Sequence, residues 1–230
     1  MSDAAVVAGL ALRELWISFR LLAVLVSLLA GGVAVMLVRL VDPIAAPLPW
    51  LAGGIAVAAV FLAGLAAWSF SAERRRGAAA WLVGRSVPRG AVLFGWLLAL
   101  TAPLVAGLVL VAAFGWLLLG ATSPAGYVAA VSAVLADLGV ALAAGLLLGT
   151  LLAPRPAALL AVLLVGALAV VGGRGILTGV PLPGDGLRLL AELPARQQPL
   201  ADALSAAGSS LLVAALLLGA ARLAVERSEL

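Results

Sequence analysis

Six long apolar stretches dominate this chain: roughly Leu21–Val41, Trp50–Phe70, Ala91–Leu119, Tyr127–Leu152, Pro156–Val171 and Ser209–Val225. A helix needs about 20 mainly apolar residues to cross a lipid hydrocarbon core of about 30 Å. Five of the stretches come close to that length or pass it; the fifth in order, Pro156–Val171, is short and is expected to run past Gly172. The chain is 65% hydrophobic and 10% charged, whereas a soluble domain is about half apolar. A core of this size cannot absorb the excess, so lipid must be the solvent. Runs of this length and composition are read as membrane helices. The expected fold is therefore all-α: a single polytopic membrane domain, residues 1–230, with about six transmembrane helices.

The residues that are missing narrow the chemistry. There is no Cys and no His, and all fourteen basic residues are Arg. A disulfide framework, an ordinary zinc site and a His-based catalytic triad are excluded. A phosphate loop and a lysine Schiff base both need Lys and are excluded too. The spans hold no paired acids for hydrolysis. The expectation is a non-catalytic membrane subunit with no cofactor and no metal. The net charge is only +4, and the arginines sit at the ends of apolar segments. That is a pattern of membrane orientation and not of nucleic-acid binding.

The arginines also set the direction of the spans. One side collects Arg13, Arg20, Arg74, Arg75, Arg76, Arg85, Arg89, Arg155, Arg222 and Arg227; the other has Arg39, Arg174, Arg188 and Arg196. The positive-inside rule then places both termini in the cytoplasm, as expected for a protein of a prokaryotic inner membrane. The N-terminus lacks the early basic cluster of a secretory signal, and Asp3 is acidic, so it is expected to be retained.

Before the first span, Leu12, Leu15, Trp16 and Phe19 recur on one helix face, with Arg13, Glu14, Ser18 and Arg20 on the other. Such a helix can lie in the headgroup plane as an amphipathic elbow against membrane lipid. The plainer alternative is the cytoplasmic start of the first span.

The densest charge lies between spans two and three, in "SAERRRGAAAWLVGRSVPRG", Ser71 to Gly90. The sequence favours a short helix there, with Arg74, Arg75 and Arg76 on it and an apolar patch at Trp81, Leu82 and Val83. Gly84 and Pro88 then return the chain to the membrane. A charged helix with an aromatic patch can dock on a soluble partner; the plainer reading is a loop whose arginines only anchor it in the cytoplasm. From Glu73 the chain reads "ERRRGAAAWLVGRSVPRGAVLFGWLLA". This resembles, without a gap, the loop of ABC-2-type permeases, roughly "ERExGTLELLLATPVSRxxxLLGKLLA". Glu73, Arg74, Gly77, Leu82, Val87, Arg89, Leu93, Gly95, Leu97, Leu98 and Ala99 match. The family's Thr is Ala78 here, its internal Glu is Ala80, its Pro is Ser86 and its Lys is Trp96. The N-terminal "LRELWISFR" is similar to the family's amphipathic leader.

The resemblance implies a permease subunit of an ABC transporter, an exporter by preference, paired with itself or a second permease. Two copies of a separate ATPase subunit would power it. The loop would be its coupling helix, with Glu73, Arg74, Arg75, Arg76, Gly77, Trp81, Leu82 and Arg89 meeting the ATPase. The nearest alternative in the same superfamily is the haem-exporter B subunit of cytochrome c maturation, whose last two spans are joined by a shorter connection. A secondary transporter would show several intramembrane charges or broken helices, and a membrane scaffold remains a further alternative.

Asp137 is the one acid well inside a span, where a charge costs about 2.5–3.5 kcal/mol on insertion scales. It is expected to face protein or a cavity, or to be protonated, either as a polar point on a transport path or dimer contact, or as a packing acid bonded to a Ser or the backbone. The same span carries Gly145 and Gly149 in a GxxxG spacing that allows close helix approach, and Pro103 in span three is expected to kink it. Between Gly172 and Gly208, "LRLLAEL" and "PLADALSAAG" are each expected to form a short external helix, separated from span five by the turn "PLPGDG". In ABC-2-type permeases similar short helices are partly re-entrant and close the outer mouth.

Overall fold

A computed structural model describes residues 3–42, 47–75, 87–119, 124–174, 184–193 and 199–227. Those residues form eight helices: α1 Asp3–Ile17, α2 Arg20–Val41, α3 Leu48–Arg75, α4 Arg89–Leu119, α5 Pro124–Leu151, α6 Pro154–Arg174, α7 Asp185–Glu192 and α8 Pro199–Arg227. Six of them, α2 to α6 and α8, are long and apolar enough to cross a membrane. The six predicted apolar stretches thus correspond one for one to long helices, and α6 does extend beyond Gly172. The fold is all-α among the described residues, and its six apolar helices suit an integral membrane protein.

The helices end where local chemistry requires it. Phe19 has φ 56°, a left-handed conformation that costs a non-glycine residue about 1 kcal/mol or more. It separates α1 from α2, which are two helices. One segment differs from expectation. "LRLLAEL" supplies the separate helix α7, but "PLADALSAAG" forms the first turns of α8. Hydropathy falls across Asp202, Ser205 and Gly208, which is why the sequence suggested a break. Extending an existing helix by a residue costs far less than nucleating a new one, so α8 simply continues through them. α4 likewise runs unbroken through Pro103.

α5 is the central post. It is the most buried of the six long helices, and α8, α3, α7 and α6 surround it. α3 packs on α6, α5 and α2, while α1 lies against α4. The seams are built from small residues. A Cβ on Gly145 would stand 2.5 Å from the Ala63 carbonyl oxygen, and one on Gly149 would stand 2.9 Å from that of Ala67. The GxxxG of α5 is therefore the surface on which α3 rests. A second close approach, Gly31 of α2 on Gly54 of α3, brings backbone against backbone with no room for a side chain at Gly54. Without a hydrophobic driving force between helices in lipid, such close van der Waals contact is a main source of association. α1 is seated the same way, since a Cβ on Gly95 of α4 would meet Val7 at 2.5 Å.

Candidate functional site

Two places concentrate chemistry: the roots of the arginine-rich loop and the surroundings of Asp137. Arg76, Gly77, Trp81 and Leu82 lie outside the described residues. The loop's entry and exit are described. Glu73, Arg74 and Arg75 are the last turn of α3, and Arg89 opens α4.

The entry root is held firmly. Ser71 is fully buried, and its Oγ donates a 2.6 Å hydrogen bond to the Leu152 carbonyl at the turn between α5 and α6. Ser69, also buried, accepts a hydrogen bond from Arg20 Nη1 at 3.4 Å, which links α3 to the start of α2. Phe70 meets Trp96 of α4 edge to face, with ring centroids 6.2 Å apart, a geometry that the aromatic quadrupole favours. Arg74 Nε is buried with no hydrogen-bond partner among the described residues. The exit root is tied elsewhere: Arg89 Nη1 donates to the Glu226 carbonyl at the end of α8, 3.1 Å away. A cation at that point also suits the negative end of the α8 dipole. Arg222, one turn earlier, pairs with the Glu226 carboxylate at 2.7 Å.

The predicted apolar face of the leader helix divides. Leu15 is fully buried, in line with Val7 and Ala11 and facing the protein; Leu12, Trp16 and Phe19 are 38%, 65% and 73% exposed. The inward stripe follows a spacing of four residues, set by the glycine seat on α4. The exposed remainder is an aromatic and aliphatic edge that suits a lipid boundary.

Asp137 stands fourteenth of the 28 residues of α5, about 20 Å from either end of the helix. It is buried, and two other helices supply its partners. Ser210 Oγ of α8 donates to Asp137 Oδ1 at 2.6 Å, and the Leu187 N–H of α7 donates to Oδ2 at 3.2 Å. The backbone N–H groups of Gly184 and Gly186 lie at the same carboxylate. Asp137 therefore caps the N-terminus of α7 from another helix, where orphan N–H groups and the positive end of the helix dipole favour an anion.

The backbone of α7 is built for this seat. Gly184 adopts φ 110°, which glycine tolerates freely. A Cβ on Gly186 would meet Ala133 backbone atoms at 2.6 and 2.7 Å and Asp137 Oδ2 at 2.8 Å, so only glycine lets the chain come this close. Leu187, Leu189 and Leu190 then bury the apolar side of α7. α7 thus starts beside the midpoint of α5, well away from the ends of that helix. Beside it lies a small cavity of ≈ 20 Å³ between α3, α5, α6 and α7, about the room of one water.

The sequence singled out Asp137 because of its depth. It did not identify Ser210, Gly184 or Gly186, whose only signal is their place in a fold that joins residues 50 and 73 positions apart. No group of His, Cys, Asp or Glu able to hold a metal occurs among the described residues. No family model, no curated protein and no solved structure matches the chain.

Proposed function

We propose that the chain is the transmembrane permease subunit of an ABC transporter, an exporter of ABC-2 type, driven by a separate ATPase subunit. The observation that carries this reading is the gapless likeness of the loop from Glu73 to Ala99 to the coupling loop of those permeases. The geometry at the loop's roots supports it. Force applied to the loop has two anchored routes into the helices, through Ser71 to the α5–α6 turn and through Arg89 to the end of α8. A loop that served only as a cytoplasmic anchor needs neither. The separate helix α1 with its exposed Trp16 and Phe19 fits an elbow at the lipid surface, and α7 fits a re-entrant element at the outer mouth. In this reading both termini and the loop are cytoplasmic, two permease copies or a copy and a homologue line the path, and two ATPase subunits dock below.

The docking centre is Trp81 and Leu82, because buried aromatics commonly act as hot spots worth about 2 kcal/mol or more. Arg74, Arg75 and Arg76 act more on steering, since rim charges are screened by salt. The double variant Trp81→Ala, Leu82→Ala should insert normally yet recover at least tenfold less ATPase subunit in a pull-down, in line with about 2 kcal/mol lost. Full recovery of the ATPase by the double variant would leave the loop as a mere anchor and remove the basis of the reading. The purified chain alone should show no ATP turnover, and turnover that copurifies with it would contradict the assignment of hydrolysis to a partner.

A further inference from the structure

We propose that the cavity beside Asp137 is the seat of a lipophilic cation, an amphiphile with an ammonium-like head and an apolar body, which takes over the carboxylate when α7 moves away. The proposal rests on the reading of the chain as a permease, because transport is what requires α7 to leave its place.

The lining is nearly all hydrocarbon. Ala59, Ala141, Val165, Leu168 and Leu187 face the space, and Asp137 is the one charged residue among the described lining residues. An apolar pocket with a single fixed polar group selects a ligand by that group. In the state described here the pocket holds only ≈ 20 Å³, because α7 fills the rest and its N–H groups satisfy the acid. α7 acts as an internal occupant: its amide donors take the place of a cationic head, and Leu187 takes the place of the apolar body.

Removing α7 changes the electrostatics in one direction. Asp137 would keep the Ser210 hydroxyl and lose every backbone donor. A carboxylate left so poorly partnered near the middle of a membrane helix is strongly disfavoured. No basic side chain lines the cavity among the described residues, so the protein offers no replacement. With Asp137 ionised, whatever displaces α7 must bring positive charge or several donors of its own. An anionic amphiphile of the same shape would add a like charge to Asp137 and is rejected, and a neutral one can be seated only if the acid first takes up a proton.

The test uses the full chain in nanodiscs of zwitterionic lipid, without any ATPase subunit, and tritiated decylammonium as the probe. Binding is corrected for empty nanodiscs, and decanol and decanoate serve as competitors. The expected result is saturable binding of the cation, about tenfold tighter than decanol, the equivalent of one charge-assisted hydrogen bond, with no competition by decanoate. Asp137→Asn should abolish the preference for the cation. Ser210→Ala keeps the charge, removes a competing donor and should retain or strengthen that preference. A single cysteine in the Leu190→Cys variant should be labelled faster by a thiol reagent once the cation is bound, because α7 has moved. The absence of saturable binding, equal binding of decanol, or a preference that survives Asp137→Asn overturns the proposal. Comparing the three amphiphiles on the unaltered chain keeps the test decisive even if Asp137→Asn does not fold. No ATPase takes part, so failure here leaves the pull-down at Trp81 and Leu82 as an independent measure of the permease reading.

Discussion

α3 and α4 are neighbours in the chain, joined by thirteen residues, yet they touch only lightly, at the Phe70–Trp96 pair and where Leu51 reaches Gly115. α3 and α5 are separated by the whole of α4 and lie pressed together along Gly145 and Gly149. The contrast shows that connection and packing do different jobs here. α3 packs chiefly on α6, α5 and α2, and α4 chiefly on α1 and α2, so α2 is a neighbour of both. The arginine-rich loop joins two helices that share α2 and have little direct contact of their own.

The sharpest way to break this comparison is to spoil a tight seam. Gly54→Val drives a side chain into the backbone of Gly31 and should destabilise the protein by about 3 kcal/mol, at the upper end of overpacking effects. Gly53, the adjacent residue, has nothing within 4 Å of a Cβ, so Gly53→Val should stay within about 0.5 kcal/mol as an unconstrained surface change does. Heating steps followed by size-exclusion chromatography in detergent compare the pair directly. Equal midpoints for the two variants would mean that the α2–α3 seam is looser than described.

The polar junction comes next. Asp137→Ala strands the Ser210 hydroxyl and the α7 amides and should cost about 2 kcal/mol, with Ser210→Ala costing about 1 kcal/mol. The double variant should cost little more than Asp137→Ala alone, because both act on one hydrogen bond; full additivity in the same thermal assay would show that the two residues act separately. The smallest effect is expected at the loop root. Ser71→Ala removes one hydrogen bond and should cost about 1 kcal/mol, while relaxing the tie between α3 and the α5–α6 turn. A spin-label pair on Ala72 and Ala153, read by pulsed dipolar spectroscopy, should show a broader distance distribution in the variant. An unchanged distribution would assign the tie to packing alone.

Much of this architecture is written in the sequence at the scale of whole helices. Twenty apolar residues have one stable outcome in lipid, so the six long helices were legible from hydropathy. Asp137 was legible as a buried group because a lone acid at that depth needs a partner. Its partners were not, since nothing local distinguishes Ser210 from Ser209 or Gly186 from the chain's 26 glycines. The leader helix shows the same limit. Its amphipathic character is visible in Leu12, Trp16 and Phe19, but the inward face of Val7, Ala11 and Leu15 goes with the seat of Val7 on Gly95, more than eighty residues away. The start of α8 escapes the sequence for a different reason: hydropathy reports where lipid can touch a helix, and backbone hydrogen bonding continues beyond that point.

The crossing of Gly31 and Gly54 also has a mechanical consequence. Two backbones that meet with no side chain between them touch nearly at a point, and a rod touching at a point can rock. Gly54 lies six residues from one end of α3 and twenty-one from the other, arms of about 9 Å and about 31 Å at 1.5 Å per residue. The fulcrum is far off centre. Rocking α3 about it is opposed on the long arm, where Ala63 and Ala67 rest on Gly145 and Gly149 of α5 and Ser71 is bonded to Leu152, so the arginine-bearing end can move only together with α5 and the α5–α6 turn.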